Sequence, residues 1–416
     1  MMPHAPTLSV AFLLLLVALA LPVGCSTAAC AHGEYFGAEC RVAAENHYAR
    51  IVTSTGVTVR FQEPGATEAP SWEALGLVRE LESGTVLVRP ATLMDFAISF
   101  DRGELGATEI AVTIQNMASD GVLSVGVAGS EVDLPNITVS TQRDVVVPLT
   151  DEVVWLRGRR ECPPAFRLAM AGDVQTNPLQ FERVLEALHD ELASGEAAGE
   201  PLLGFALLGD LAEKPVEEEL SHVGDLLARS PVPVSVVPGN HDVHGNELAL
   251  YNRLFGAGNY AQAVCNAKLT LLDSGGGDLA GSIQARLPEL LDHTSFDFLV
   301  AGSHYPVWPG RTGNTWGDED SAWYLLSELG RNEADVYVSG HLHSWEEMPE
   351  IPVGDTTVKQ IISGTAGGRQ GGGVPVYGFT RLTFSGAGVE TCFVEVLPAG
   401  RLETQASTKG GVDYCP

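Results

Sequence analysis

From residue 50 to residue 160 the apolar positions come in short alternating runs. GVTVRF (56–61), GTVLVRP (84–90), EIAVTIQ (109–115), GVLSVGV (121–127), NITVS (136–140) and DVVVPL (144–149) are β-branched stretches bounded by Gly, Pro, Asn or Asp. Runs of that length and spacing predict strands joined by turns, and so many in succession predict a β-sandwich. The stretch has no His/Asp/Glu cluster at ligand-like spacing and is expected to be a structural or docking module. ECPPAF (161–166) closes the pattern, because proline cannot donate to the ladder of a central strand. Beyond Phe166, apolar runs of strand length alternate with helical stretches such as LQFERVLEALHDELASG (179–195), which signals an α/β domain. No repeat period is visible.

Five apolar runs of this second region each end in a small residue followed by a metal-type donor. RLAMAG precedes Asp173, FALLG precedes Asp210, VSVVPG precedes Asn240, FLVAGS precedes His304, and VYVSG precedes His341, with His343 two places later. Ligands of open α/β sheets sit outside the carboxyl ends of the strands, and a Gly or Ser there lets backbone crowd a bound ion. A lone Asp or Asn after Gly is ordinarily a turn or cap residue. Five such tips bearing two carboxylates, an amide and three imidazoles form a set, and a set predicts a metal site. His189 and His222, on predicted helices, are expected to be structural.

The donors are oxygen and imidazole nitrogen without thiolate, which suits Mn, Fe, Zn, Co or Ni. Six donors exceed one tetrahedral ion, and two ions sharing a carboxylate fit better. Ions about 3.5–4 Å apart lower the pKa of water and clamp an in-line displacement at phosphorus.

Charge and cysteines narrow the setting. Asp and Glu number 53 against 24 Lys and Arg, so the field repels phosphate backbones and no nucleic-acid binding is expected. VAFLLLLVALALPVG (10–24) is an apolar run too short to favour a span, and residues 1–24 are expected to be a signal peptide, although they lack Lys and Arg. LPVGC resembles a bacterial lipoprotein box, which implies a lipid on Cys25 and attachment to a membrane; ordinary cleavage near Ala28–Ala29 is the alternative. The location is then periplasmic, outer-membrane lipoprotein or extracellular. Six further cysteines (Cys30, Cys40, Cys162, Cys265, Cys392 and Cys415) permit three disulfides, with a short Cys30–Cys40 loop and a tail clamp through Cys415 favoured.

GDVQ (172–175), GDLAE (209–213), GNHD (239–242), the His304 of GSHYP and GHLHS (340–344), in that order, resemble the calcineurin-like metallophosphoesterases. The resemblance runs from about Phe166 to about Val396. It implies an α/β fold: an N-terminal β-sandwich (35–162), then a four-layer α/β-sandwich metallophosphoesterase domain (163–416). It implies two divalent or mixed-valence ions (Fe, Mn, Zn or Co) and hydrolysis of a phosphorylated small molecule. Asp173 and His343 would bind the first ion, with Gln175 beside them. Asp210 would bridge, and Asn240, His304 and His341 would bind the second. His241 would stabilise the transition state or protonate the leaving oxygen, and Asp242 would orient it.

Two positions depart from the family. Gln175 stands where a histidine is common, which predicts a looser or differently selective first site. The two-domain plan is similar to that of the purple acid phosphatases, but Glu213 stands where those have a ligand tyrosine. A phosphomonoesterase is the favoured reading. The same motifs serve a phosphodiesterase, and a surface binding protein with a degenerate domain is the reading from another class. Trp308 and Trp316 are candidates for a rim around the leaving group, and Arg311, Arg369 and His244 for substrate contact. Glu217–Glu219 and GDED (317–320) are expected to be solvated.

Overall fold

The computed structural model describes residues 37–62, 75–103, 106–135, 141–244, 249–308, 316–369, 376–397 and 414–415. The expected leader, Cys25, Cys30, the run at 136–140 and Arg311 lie outside the described residues.

Helix α1 (Ala38–Tyr48) comes first. Strands β1 (Arg50–Val52), β2 (Thr58–Gln62), β3 (Gly76–Glu80), β4 (Val86–Pro90), β5 (Phe96–Asp101), β6 (Glu109–Ile114), β7 (Val122–Gly126), β8 (Val132–Leu134), β9 (Arg143–Pro148) and β10 (Val153–Arg159) follow. They form one sheet in the order β1-β2-β5-β10-β7-β8 and another in the order β3-β4-β6-β9. Phe61, Val88, Ile98, Phe100, Val112 and Leu156 belong to the core they share.

The second region holds β11 (Phe166–Ala171), α2 (Pro178–Ala198), β12 (Leu202–Leu208), α3 (Glu217–Leu227), β13 (Val234–Val237), α4 (Asn240–Val243), α5 (Leu250–Phe255), β14 (Tyr260–Val264) and β15 (Ala267–Leu272). Then come α6 (Gly281–Gln284), α7 (Leu287–Leu291), β16 (Phe298–Ser303), α8 (Glu319–Arg331), β17 (Val336–Ser339), β18 (Trp345–Val353), β19 (Thr356–Ser363), β20 (Tyr377–Ser385) and β21 (Gly388–Val396). The sheet orders are β13-β12-β11-β20-β21 and β14-β15-β16-β17-β19-β18. Strands β11, β12 and β13 are mutually parallel, as are β15, β16, β17 and β19.

The two sheets bury Leu168, Met170 and Leu208 of one with Leu271, Val300 and Val338 of the other in one core. Helices α2, α3 and α5 cover the outer face of the first through Phe181, Leu185, Leu188 and Val223. Helices α7 and α8 cover the second through Leu290, Leu291, Leu325 and Leu329. The region is therefore four layers, α–β–β–α. Within the central core Phe166 stacks on Phe384 at 4.6 Å between ring centroids, a contact worth about 0.5–1.5 kcal/mol beyond area burial.

Local signals explain where α2 starts and stops. Asn177 accepts from Gln180 N at 3.2 Å, Pro178 takes the first helical turn, and Gly199 ends the helix at φ 76°. The acidic stretches read as solvated prove partly structural. Glu217–Glu219 form the first turn of α3, where the helix dipole favours negative charge, and Asp318 caps α8 by accepting from Asp320 N at 3.2 Å.

The sandwich closes over the α/β region with buried polar contacts. β13 is an edge strand, and Asn116 pairs with it on both sides of Val234, accepting from its N–H at 2.6 Å and donating to its carbonyl at 3.0 Å. Arg89, buried, donates to the same carbonyl at 2.9 Å. Cys162 and Cys265 form a disulfide across 103 residues of chain, and Cys392 pairs with Cys415, the expected tail clamp. Cys40 is also disulfide-bonded, and its expected partner Cys30 is outside the described residues. Among the described residues no helix is long and apolar enough to cross a membrane.

The expected elements begin at residue 50, and the structure adds helix α1 before them. Its inward face is charged: Arg41 donates to Asp273 at 2.6 Å, and Asn259 donates to Glu45 at 2.8 Å, with Arg41 and Glu45 both buried. Burial first, then the Asp273 charge, pushes the Glu45 carboxyl up to about 8. The folded state thus holds this proton more tightly than the unfolded chain. Its contribution to stability is complete below pH about 4.5 and is lost as pH rises through about 8. Glu45→Gln keeps a side chain that can accept from Asn259 and removes the titration. Its melting temperature is expected to match the parent near pH 5 and to exceed it at pH 8, by a stability gain of up to about 3 kcal/mol. A difference independent of pH would remove Glu45 as the cause.

Candidate metal centre

All six donors gather at the carboxyl ends of the parallel strands. Asp173 follows β11, Asp210 follows β12, Asn240 opens α4 after β13, His304 follows β16, and His341 and His343 follow β17. Both sheets therefore contribute. The ligand atoms of Asp210, His304 and His341 lie within 4.8 Å of one another, and so do those of Asp173, Asp210 and His343. Asp210 is common to both triads.

The backbone is strained to bring them there. Asp173 (φ 64°), Asp210 (φ 53°), His341 (φ 72°) and His343 (φ 43°) all occupy the left-handed region that non-glycine residues avoid. Eight described non-glycine residues do so, and half are these donors. The crowding that glycine allows is visible at Gly340, where a Cβ would stand 2.6 Å from Asp173 Oδ2.

Backbone carbonyls aim the rings. His304 Nδ1 donates to the Leu208 carbonyl at 2.8 Å, which turns Nε2 toward Asp210 Oδ2 at 3.4 Å and Asn240 Oδ1 at 3.0 Å. His343 Nδ1 donates to the Arg369 carbonyl at 2.8 Å and turns Nε2 toward Asp173 Oδ1 at 3.1 Å. His341 faces Asn240 Oδ1 with Nδ1 at 3.1 Å, and that nitrogen is 3.2 Å from His304 Nε2. Such outer hydrogen bonds fix the tautomer of a ligating histidine. Tyr305 lies against His341, ring centroids 4.0 Å apart. His341 N donates to Asp173 Oδ2 and His241 N to Asp210 Oδ1, at 2.8 and 2.9 Å.

Electrostatics follow. Burial opposes charge on His304, but the Asp210 carboxylate outweighs it and holds the ring up at about 9. His343, likewise opposed by burial, is raised to about 9 by Asp173. His341 is pushed down to about 4 by burial and then by the neighbouring His304.

The donor set fits divalent cations. Asp173 Oδ1 and Gln175 Oε1 are buried with no hydrogen-bond partner, although Asp173 Oδ1 is at ion-pair distance from His343. Lone pairs of nitrogen and oxygen converge from five strand ends, an arrangement that positive charge must neutralise. Gln175 is 4% exposed, and its Nε2 lies 2.9 Å from His343 Nε2, so its amide is in reach of the first triad.

Other expected site residues fall differently. Asp242 does not touch the His241 ring. It is buried and accepts from the N–H groups of Gly239, Leu211 and Ala212 at 2.8–3.1 Å, tying the β12 and β13 tips together. The His241 ring is held instead by the Glu213 carbonyl, which accepts from Nδ1 at 2.8 Å, with the Glu213 carboxylate 4.0 Å away. Adjacency in sequence suggested Asp242, but successive side chains of a helical turn diverge. Trp316 is buried and donates to the Pro306 carbonyl, and Trp308, half-buried, packs edge-on against Trp323 of α8. Arg369 contributes its carbonyl, and its side chain is exposed. His244 is exposed at the end of α4.

The sequence profile of the calcineurin-like phosphoesterases matches residues 166–345. No curated protein matches the chain. Among solved structures, a purple acid phosphatase from yellow lupin seeds (Lupinus luteus) is 12% identical over 83% of this chain and 89% of its own, with a TM-score of 0.47. GAP50, described as the anchor in the inner membrane complex of Plasmodium, is 18% identical over 57% of this chain and 85% of its own, at 0.42. PhoD is 11% identical over 77% and 92%, at 0.44.

Proposed function

We propose that this chain, whose residues 166–345 form a calcineurin-like phosphoesterase domain, is an exported phosphohydrolase with a two-metal centre and a preference for phosphate monoesters. The observation that carries the reading is the pair of donor triads sharing Asp210. Asp173, His343 and the Gln175 amide would hold one ion, Asn240, His304 and His341 the other, and Asp210 both. When bound, the ions supply a nucleophile at neutral pH and neutralise charge on the phosphoryl group.

The chain's own residues do the rest. His241 presents Nε2 because Nδ1–H is engaged by Glu213 O. From Nε2 it passes a proton to the ester oxygen as the P–O bond breaks, so that the alcohol leaves neutral and the oxygen of water ends on phosphate. Asp242 keeps the 211–212 and 239–242 turns in register, so that Asp210 and Asn240 both face His304 Nε2. Monoester preference is supported by the sequence resemblance to the sandwich-plus-phosphoesterase plan. The proposed division is a signal peptide over 1–24 with lipid on Cys25, a sandwich over 35–162 and the phosphoesterase over 163–416. Export is supported by the disulfides, which persist in oxidising compartments.

A panel of aryl and alkyl mono- and diesters, assayed with Mn, Fe, Zn and Co, tests the reading. Monoesters are expected to turn over at least about tenfold faster than matched diesters. Two bound ions without turnover of either class would leave a binding protein.

Gln175→His is expected to leave the fold unchanged and to tighten metal retention at the first triad by about 10-fold or more, since imidazole binds such ions more strongly than a neutral amide. Metal content after dialysis against a weak chelator measures it. Unchanged retention and activity would mean that Gln175 is no ligand.

A further inference from the structure

A cleft of about 250 Å³ opens beside the candidate metal centre, between the β11–α2 turn and helix α3. Two of its wall residues connect it to the centre. Gln175 reaches His343, and Glu213 holds the His241 ring through its carbonyl. An ester whose oxygen faces His241 would therefore direct its alcohol part along this wall. The volume is below the roughly 300–1,000 Å³ of drug-sized sites and suits an alcohol of a few heavy atoms.

The charged groups of the wall are mostly acidic. Val174, Leu211 and Val223 make much of it apolar, Glu213 and Glu219 add two carboxylates, His222 adds an imidazole, and no lysine or arginine lines it. Glu219 is held in place by the Lys214 N–H, which donates to one of its oxygens at 2.9 Å. The Glu213 carboxylate reaches only His241, at 4.0 Å, among the ion pairs of the described residues. A primary ammonium group brings N–H donors and one positive charge to these two carboxylates.

We propose that this cleft selects a leaving alcohol that carries a primary ammonium group, as in 2-aminoethyl phosphate. The inference rests on the phosphohydrolase reading above and adds the class of substrate. Alcohols bearing a second phosphate or a carboxylate would meet like charge in the wall and are disfavoured.

The test compares 2-aminoethyl phosphate with n-propyl phosphate, which replaces the ammonium by a methyl group, on the full metal-loaded chain with p-nitrophenyl phosphate as reference. The ratio of kcat/KM for the aminoethyl over the propyl ester is expected to be about 10 or more, and to fall at least about threefold in Glu213→Gln and in Glu219→Gln. The non-hydrolysable pair 2-aminoethylphosphonate and propylphosphonate should show the same preference as inhibition constants. Because each ratio is taken within one protein, a general loss in a variant cancels. A ratio near 1 in the parent, or one that neither variant changes, overturns the inference while leaving the hydrolase reading intact, as does hydrolysis of the reference ester alone. Failure to hydrolyse the reference as well removes both.

Discussion

Asp210→Asn is expected to reduce bound metal from two ions per chain to one or none and to lower phosphoester hydrolysis by about 10³-fold or more. Asp210 is the one donor common to both triads, and it is 1% exposed, so no water can replace its charge at little cost. Asparagine keeps the size and an oxygen that can accept from His241 N, so the turn should survive. It lacks the negative charge that a shared position needs. A loss of about 4 kcal/mol in charge stabilisation corresponds to about a thousandfold in rate. A readout independent of turnover follows from His304. Its pKa stands at about 9 because Asp210 outweighs burial, so in the metal-free variant the ring should titrate well below that value by imidazole NMR. Two ions retained with activity within tenfold of the parent would sink the shared-carboxylate assignment.

His241→Ala should act on the chemical step alone. The ring belongs to neither triad, so metal content should remain that of the parent. A positioned general acid contributes roughly 10²–10⁴-fold, and its value depends on how much the leaving oxygen needs a proton. The fall in kcat is therefore expected to lie in that range for alkyl phosphates and to be several-fold smaller for p-nitrophenyl phosphate, whose leaving group departs unprotonated. An equal loss on both esters would make His241 a positioning residue, and no loss would remove it from the mechanism.

The donor set could be read along the chain because each donor sits directly behind its own strand, where an apolar run and a small residue mark the tip. Asp173, Asp210, Asn240, His304 and His341 were visible for that reason, as was α2, whose Asn177 cap and Gly199 stop are local signals. Helix α1 was not visible, since a helix that buries Arg41 and Glu45 carries no apolar stripe. Its partners, Asp273 and Asn259, are more than 200 residues away in the chain. Asp242 was expected beside the His241 ring, but neighbouring side chains of a helical turn diverge, and its partners are the Gly239 N–H and two N–H groups about 30 residues earlier.

The sequence by itself determined the alternation of strands and helices after Phe166, the succession of short strands before it and the types of donor at the strand tips. These follow from short-range periodicity and from residues whose chemistry is written in their side chains. Only the tertiary structure decided which donors gather in which triad, how the rings are aimed and what lies beside them. The carbonyls of Leu208, Arg369 and Glu213 orient His304, His343 and His241. A backbone carbonyl is the same in every residue, so nothing in the sequence distinguishes the three that matter. Their roles come from pairings across 26 to 96 residues that exist only once the sheets have packed.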